Sequence, residues 1–218
     1  MKKRISAMVV GVGGIGCPAL LSLAQSGVRS ICMVDDDCVE ASNLPRQLWH
    51  WPEDLGKPKV DSAYEKLSKL FPKVLFEPLF LRVEEKNAAK LFSTKDVVID
   101  ATDSPDSKLL FSDIAARHEC LLVSTGVAGW KGQAMRIAPG GPCLRCAFPG
   151  GMQGATPPSQ LGVLGPLAGV LGFWAAALVH APAAPAGEAA MHWIDARHWR
   201  TGVLRIEKDG QCLCNEKA

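Results

Sequence analysis

Short apolar runs alternate with helical patterns over the first 126 residues. The runs are β-branched and apolar on both faces, which is typical of buried parallel strands. They are Ile5–Val10, Ser30–Val34, Asp96–Ala101 and Leu121–Ser124. Between them, apolar residues recur at helical spacing in Pro18–Gln25, Lys59–Phe71, Glu84–Phe92 and Pro105–His118. This alternation predicts an α/β fold with a doubly wound, Rossmann-like, mostly parallel sheet and right-handed crossovers.

Two of these segments carry finer expectations. Val74–Val83 has an extended pattern but contains Pro78, which predicts an edge or interrupted strand. In the helix Lys59–Phe71, one face is expected to pack on the sheet through Val60, Ala63, Tyr64, Leu67, Leu70 and Phe71.

The pattern changes after Gly126, where no further strand–helix alternation follows. Strands are predicted at Gly132–Ala138, His192–Ala196 and Val203–Lys208, and together they indicate a small C-terminal antiparallel extension. Turns or loops are predicted at Pro139–Cys146, Phe148–Gln160 and Ala181–Ala190.

Leu161–Val179 contains 19 residues without a charge, so a membrane span has to be weighed. Pro166, four glycines and the lack of a basic flank favour a helix buried in the core or in a subunit interface. The basic start Met1–Arg4 and the apolar run that follows imitate a secretory signal. The ordered glycines inside that run argue against this interpretation.

Composition excludes some classes of protein. The formal net charge is +2 and no basic block occurs, so electrostatic capture of nucleic acid is not expected. Eight cysteines in 218 residues do not require a disulfide scaffold. Within an intracellular protein, the Cys143/Cys146 pair indicates metal or redox chemistry.

A glycine loop with Gly11, Gly13, Gly14 and Gly16 follows the first strand and precedes a helix. Glycines let the backbone turn tightly and approach a phosphate, which backbone N–H groups and the helix N-terminus then bind. Asp35 follows about twenty residues later, at the end of a strand, where its carboxylate could accept hydrogen bonds from ribose hydroxyl groups. These residues predict a nucleotide site, although a nicotinamide or flavin dinucleotide would fit them as well.

The next segment favours a nucleoside triphosphate. Asn43, Arg46 and Gln47 follow Asp35 too closely for a second mononucleotide half, and Lys59 adds another cation. Arg binds two phosphate oxygens at once and Lys supplies a point charge, as expected where pyrophosphate leaves. The alternative for Lys59 is an exposed lysine at a helix start.

Two carboxylates lie near the end of the strand that contains D-V-V-I-D-A-T-D. Ligands bind at the carboxyl edge of a parallel sheet, so Asp103 is a candidate for magnesium and Asp100 for a structural role. Either residue would alternatively cap the helix that begins at Pro105.

The motifs G-V-G-G-I-G, D-D-D-C-V-E-A-S-N-L-P-R-Q, G-K-P-K, D-A-T-D and C-L-R-C-A-F-P occur in this order. From about residue 9 onward, the chain resembles the ThiF/MoeB/HesA family of ubiquitin-activating-enzyme-like adenylyltransferases. The resemblance implies that Asp35 binds ribose and that Asp103 binds magnesium. It further implies that the nucleotide is bound by Asp37, Asn43, Arg46, Gln47 and Lys59.

The resemblance also implies the reaction and the partners. The C-terminal glycine carboxylate of a ubiquitin-like sulfur carrier ending in Gly-Gly attacks the α-phosphate of ATP, which gives an acyl adenylate and pyrophosphate. Arg46, Lys59 and Asp103 are then the catalytic residues. We expect a single cytoplasmic domain over residues 1–218 that works as a homodimer through Leu161–Val179. Residues 1–126 would bind nucleotide, and residues 127–218 would bind carrier and zinc.

In this family Cys143 and Cys146 match the first pair of zinc ligands. A tetrahedral thiolate site needs two more, and Cys212 and Cys214 are the nearby candidates by pattern. The family's second pair is C-x-x-C, whereas this chain has C-x-C, which strains chelation of one ion. Free thiols or a disulfide in the tail are the alternatives.

Two further departures from the family pattern affect the predicted chemistry. The segment Thr156–Leu161, where relatives place a sulfur-transfer or thioester cysteine, contains none. The chain starts close to the first strand, so the upstream helix that supplies an arginine to the partner's ATP is not expected, and Arg4 is a poor substitute. Another arginine or a partner would have to complete the site.

Three other functions remain open, and the two departures favour the second of them. One is activation of a non-protein carboxylate, such as a modified base on tRNA. Another is a non-catalytic nucleotide-binding subunit of a larger complex. The third is a dinucleotide oxidoreductase, against which the Arg46/Lys59 pair argues.

Overall fold

The computed structural model describes residues 5–152, 161–182, 184, 185 and 187–215. These residues contain eight strands, namely β1 Ser6–Val10, β2 Ser30–Asp35, β3 Leu75–Phe80, β4 Val97–Asp100, β5 Leu121–Ala128, β6 Lys131–Ile137, β7 Glu188–Asp195 and β8 Arg200–Glu207. They also contain six α-helices, namely α1 Gly16–Gln25, α2 Lys59–Leu70, α3 Glu85–Phe92, α4 Pro105–Arg117, α5 Leu144–Ala147 and α6 Gly165–Val179. All eight strands form one sheet in the order β3-β2-β1-β4-β5-β6-β7-β8.

The parallel half of the sheet confirms the predicted doubly wound fold. The strands β1 to β5 pair in parallel, and the strand order reverses between β1 and β4. The carboxyl ends at this switch point are where such sheets bind ligands. The edge position of β3 agrees with Pro78 in its sequence.

The antiparallel half is larger than predicted. The strand β5 continues past Ser124 to Ala128, because Gly126 to Ala128 pair with the start of β6. The strand β7 begins at Glu188, so the prediction of a loop through Ala190 was wrong. The small apolar residues at its start are common in loops. Ala189 and Met191 are nevertheless both buried, and they pair with β8.

Helices cover both faces of the sheet. One face is covered by α1, α2 and α6, and the other by α3, α4 and α5. The helices α1 and α6 approach so closely that a Cβ at Gly172 would lie 2.3 Å from the Ile15 carbonyl oxygen. Gly172 therefore sets the position of α6 behind the glycine loop.

The helix α6 begins at Gly165 rather than at Leu161. Leu164 is extended and Pro166 occupies the first turn, where its missing N–H costs nothing. No described helix is long and apolar enough to cross a membrane.

The predicted packing face of α2 is only partly correct. Val60, Ala63 and Leu67 are fully buried, but Tyr64 and Leu70 are 39% and 56% exposed. Because α2 covers the edge of the sheet beside β3, one side of its apolar stripe is exposed within the described part of the chain.

Candidate nucleotide site and cysteine cluster

The glycine loop lies between β1 and α1, at the switch point of the sheet. Gly11 has a φ of +93°, and its N–H donates to the Val34 carbonyl at 2.8 Å. A Cβ at Gly16 would lie 1.8 Å from the Gly11 carbonyl oxygen, so the helix can start here only with glycine. No described acceptor pairs with the backbone N–H groups of Gly13 and Gly14. These N–H groups are thus available to an anion.

Asp35 ends β2 and holds the loop in place. One carboxylate oxygen accepts a hydrogen bond from the Val12 N–H at 2.6 Å, and the other accepts one from the Asp37 N–H at 2.8 Å. Burial raises the pKa of Asp35, against the opposing effects of Lys59 and of these two N–H groups. Each carboxylate oxygen keeps a free lone pair for a ribose hydroxyl group.

The S-N-L-P-R-Q segment begins with a 3-10 turn at Ala41–Asn43 and lies beside the loop. Arg46 is half-buried, and its Nη1 donates to the Ser42 carbonyl at 2.8 Å. Gln47 is 5% exposed, and no described donor pairs with its Oε1. Its Nε2 is 3.5 Å from the position that a Cβ of Gly13 would take.

Lys59 is the first residue of α2 and is 6% exposed, so the alternative of an exposed lysine is wrong. Its Nζ donates to Asp37 Oδ2 at 2.6 Å. The Lys59 N–H donates to the Asp37 carbonyl at 2.9 Å. Two contacts with the same residue thus fix this cation beside the end of β2.

Asp100 and Asp103 differ in their surroundings. Asp100 is fully buried and pairs with Lys108 Nζ, while Ser124 Oγ donates to it at 2.9 Å. Asp103 is exposed and lies on the wall of a cavity. Neither caps α4, because Ser104 is the N-cap and its Oγ accepts the Ser107 N–H.

This cavity has a volume of about 1020 Å³ and opens at the carboxyl edge of the parallel strands. Ten of the predicted nucleotide residues line it, namely Gly11, Gly13, Gly14, Asp35, Asp37, Asn43, Arg46, Gln47, Lys59 and Asp103. Gly16 is the exception, because it contacts Gly11 and serves the packing of α1. The cavity continues past Gly126 to Lys131, Gln133 and Trp193 in the antiparallel half.

Two buried residues at this site were not predicted to contribute. His50 is 2% exposed, and its Nε2 lies 2.8 Å from the Val12 carbonyl oxygen. Lys108 lines the cavity and donates to the carbonyls of Thr102 and Thr125. The contact of His50 with the loop joins residues 38 positions apart, so local sequence patterns do not reveal it.

The four cysteines near the end of the chain form a second cluster. Cys143 is the N-cap of α5 and Cys146 lies within it, and their sulfurs lie within 4.8 Å of those of Cys212 and Cys214. The Cys143 to Cys212 distance is 3.5 Å and the Cys146 to Cys214 distance is 3.7 Å. The C-x-C spacing therefore does not prevent the two pairs from meeting. Arg145 holds α5 through two hydrogen bonds to Asp113, at 2.7 and 2.8 Å.

Zinc fits this arrangement. A Zn–S bond of about 2.3 Å in a tetrahedron places neighbouring sulfurs about 3.8 Å apart. The measured sulfur–sulfur distances of 3.5, 3.7 and 3.9 Å are close to this value. The cluster satisfies the donor set and the spacing of a structural zinc site.

The predicted loop with Thr156 to Gln160 and the residue Arg4 lie outside the described residues. The remaining elements define a class: an α/β protein with a glycine loop at the switch point of the sheet, the cations Arg46 and Lys59 on the same cavity wall as Asp35, and a four-cysteine cluster. A family model described as "ThiF family" matches residues 2–214. The chain belongs to the ThiF family.

Curated proteins with related sequences agree with this assignment. SAMP-activating enzyme E1 of Haloferax volcanii is 41% identical over 167 residues, which cover 76% of this chain and 62% of that protein. Adenylyltransferase and sulfurtransferase UBA4 of Meyerozyma guilliermondii is 39% identical over 173 residues, which cover 78% of this chain and 41% of that protein. The chain therefore matches about half of the length of these relatives.

Solved structures share the fold at lower sequence identity. The crystal structure of Escherichia coli MccB with ATP superposes with a TM-score of 0.82 at 18% identity. The aligned region covers 98% of this chain and 68% of that one. MccB in complex with N-formylated MccA gives a TM-score of 0.81 at 17% identity over 97% of this chain and 67% of that one.

Proposed function

We propose that this protein is an ATP-dependent adenylyltransferase that activates the C-terminal glycine carboxylate of a ubiquitin-like sulfur carrier. The proposal rests on one cavity. The glycine loop, the Asp35 carboxylate and the cations Arg46 and Lys59 all line it. Membership of the ThiF family and the names of the relatives that are 41% and 39% identical support the same function. The chain matches 62% and 41% of the length of those relatives.

In the proposed reaction a carboxylate oxygen of the carrier attacks the α-phosphorus of ATP. The bond from that phosphorus to the bridging oxygen breaks, and pyrophosphate leaves with the electron pair. A carboxylate is already a nucleophile, so the protein contributes positioning and charge stabilisation rather than a general base.

Each side chain has a role that follows from its position. The Asp35 carboxylate accepts hydrogen bonds from ribose hydroxyl groups. Asn43, Gln47 and the N–H groups of Gly13 and Gly14 bind phosphate oxygens. Arg46 and Lys59 stabilise the charge that develops on pyrophosphate. A magnesium ion would neutralise phosphate charge, and Asp103 is the residue that we assign to hold it.

The cavity is long enough for two substrates. Its nucleotide part lies at the switch point, and the part along Gly126, Lys131, Gln133 and Trp193 would admit an extended carrier tail. Glycines at the end of the tail would let its backbone approach the α-phosphate closely.

We also propose a homodimer, zinc at the cysteine cluster and a cytoplasmic location. The helix α6 exposes an apolar stripe made of Pro166, Val170, Phe173 and Ala177. Such a stripe favours a second protein surface over water. Zinc would join the C-terminal residues to α5, and a reducing compartment would keep the four thiols available to it.

Carrier-dependent exchange of labelled pyrophosphate into ATP tests the proposed reaction. The proposal expects exchange with a carrier ending in Gly-Gly and none with a carrier that lacks this dipeptide. Asp103→Ala should reduce the exchange at least about 100-fold. Asp106→Ala is the matched control, because Asp106 is exposed on the same segment and is absent from the cavity wall. Exchange without any carrier dependence would refute the assigned substrate.

A further inference from the structure

A buried histidine contacts the peptide bond between Val12 and Gly13 through the carbonyl oxygen of Val12. His50 is 2% exposed, and its Nε2 lies 2.8 Å from the Val12 carbonyl oxygen. A carbonyl oxygen can only accept, so Nε2–H is the donor. The Cys17 thiol adds a weaker hydrogen bond to the same oxygen at 3.5 Å.

The second nitrogen of the histidine ring is also fixed. Its Nδ1 lies 3.0 Å from Ser62 Oγ, and Ser62 is fully buried. Burial lowers the pKa of His50, with Lys59 and Lys66 acting in the same direction and the Val12 carbonyl and Asp54 opposing it. The contacts with Val12 and Ser62 hold the ring in one orientation, with Nε2 directed at the loop.

A trans peptide links this contact to the nucleotide site. In a planar trans peptide the C=O and the N–H point in opposite directions. The Val12 carbonyl points toward His50, so the N–H of Gly13 in the same peptide points away from it. Gly13 lines the cavity, and no described acceptor pairs with its N–H.

We propose that His50 is a positioning residue that aims the Gly13 N–H at a nucleotide phosphate by holding the Val12 carbonyl. This inference rests on the proposed function, because the ligand is the phosphate chain of ATP. His50 does not line the cavity, so it acts through the loop and not on the substrate.

Two amide substitutions separate this role from ordinary packing. In His50→Gln the side-chain amide reaches the position of Nε2 and can still donate to Val12. In His50→Asn it reaches only the position of Nδ1, so the contact with Val12 is lost while polarity and burial are similar. Ser62→Ala keeps the imidazole but frees its Nδ1, and it provides a milder variant if His50→Asn does not fold.

The measurement is calorimetric binding of ATP and of adenosine to the wild type and to each variant. Adenosine lacks phosphate, so its affinity reports on the rest of the site. His50→Asn should weaken ATP binding about tenfold and leave adenosine binding unchanged. His50→Gln should stay within about threefold of the wild type for both ligands. Ser62→Ala should weaken ATP binding alone, by less than His50→Asn.

The outcomes distinguish two kinds of failure. Lack of ATP binding by the wild type would refute the proposed function itself. ATP binding by a folded His50→Asn at wild-type affinity would overturn the positioning role. Equal weakening of ATP and adenosine in both amide variants would also overturn it, since a general loss of structure affects both ligands.

Discussion

The ammonium group of Lys59 lies 2.6 Å from the carboxylate of Asp37 on the wall of the cavity beside the glycine loop. The lysine side chain is 8% exposed and the aspartate side chain is 66% exposed. The cation is therefore held rigidly, whereas its partner faces water and can exchange with another anion. A phosphate group entering the cavity would find a positive charge already in position.

Replacing this cation should impair the reaction. Lys59→Met removes the charge that we assign to the leaving pyrophosphate, so carrier-dependent pyrophosphate exchange should fall at least about 100-fold. Lys57→Met is the control, because Lys57 pairs with Asp54 and Glu65 and is absent from the cavity wall. Equal activity of the two variants would contradict the role of Lys59.

Gly16 should tolerate no side chain. In Gly16→Ala the new Cβ would meet the Gly11 carbonyl oxygen at 1.8 Å, so the loop and α1 would have to separate. We expect the free energy of unfolding to fall by at least about 2 kcal/mol, as measured by chemical denaturation. Gly150→Ala should change it little, since a Cβ there meets no atom within 4 Å. A stable Gly16→Ala protein would show that the loop geometry is wrong.

Acid should remove the stabilisation that comes from Asp54. Burial opposes ionisation of this carboxyl group, but hydrogen bonds from Lys66 and from the Trp51 N–H outweigh it and lower its pKa to about 2. Because the folded pKa is below the unfolded value of 3.8, the contribution is complete above about pH 4 and is lost as the pH falls toward 2.

Asp54→Asn measures this contribution. At pH 7 the free energy of unfolding of the variant should be on the order of 2 kcal/mol lower than that of the wild type. The difference should shrink toward zero near pH 2. A difference that is the same at both pH values would exclude the ionised carboxylate as its source.

The cysteine cluster should hold one zinc ion per chain. Cys143→Ser should lose the metal, detected by atomic emission, and should lower the unfolding temperature, because the ion joins α5 to the C-terminal segment. Cys38→Ser provides the control, since Cys38 is exposed and outside the cluster. Purified wild-type protein that takes up no zinc under reducing conditions would refute the proposed site.

The stripe on α6 should control the oligomeric state. Phe173→Glu places a charge in the middle of the stripe and should convert a dimer into a monomer in analytical ultracentrifugation. Leu70→Glu changes an exposed apolar residue on α2, 56% exposed against 45% for Phe173, and it should leave the dimer intact. A monomeric wild-type protein would contradict the proposed assembly.

The parts of the site that depend on local spacing were predictable from the sequence. The strand, the glycine loop and α1 are consecutive, and Asp35 ends the next strand, so their proximity follows from the fold class. The cations Arg46 and Lys59 were identified by the motifs around them, and the structure brings both to the same cavity.

Other features depend on contacts between distant segments. His50 contacts the glycine loop across 38 positions, and nothing next to it in the sequence indicates this partner. The C-x-C spacing of Cys212 and Cys214 suggested strain, yet the fold brings both sulfurs to the first pair. The start of β7 was missed because its pairing with β8 outweighs its weak local strand pattern.

Calorimetric titration with ATP and magnesium, compared with NAD, tests the central claim most directly. The account predicts that ATP binds, that Arg46→Ala weakens this binding about tenfold or more, and that NAD does not compete with ATP. Binding of NAD without binding of ATP would contradict the assignment of the cavity to a nucleoside triphosphate.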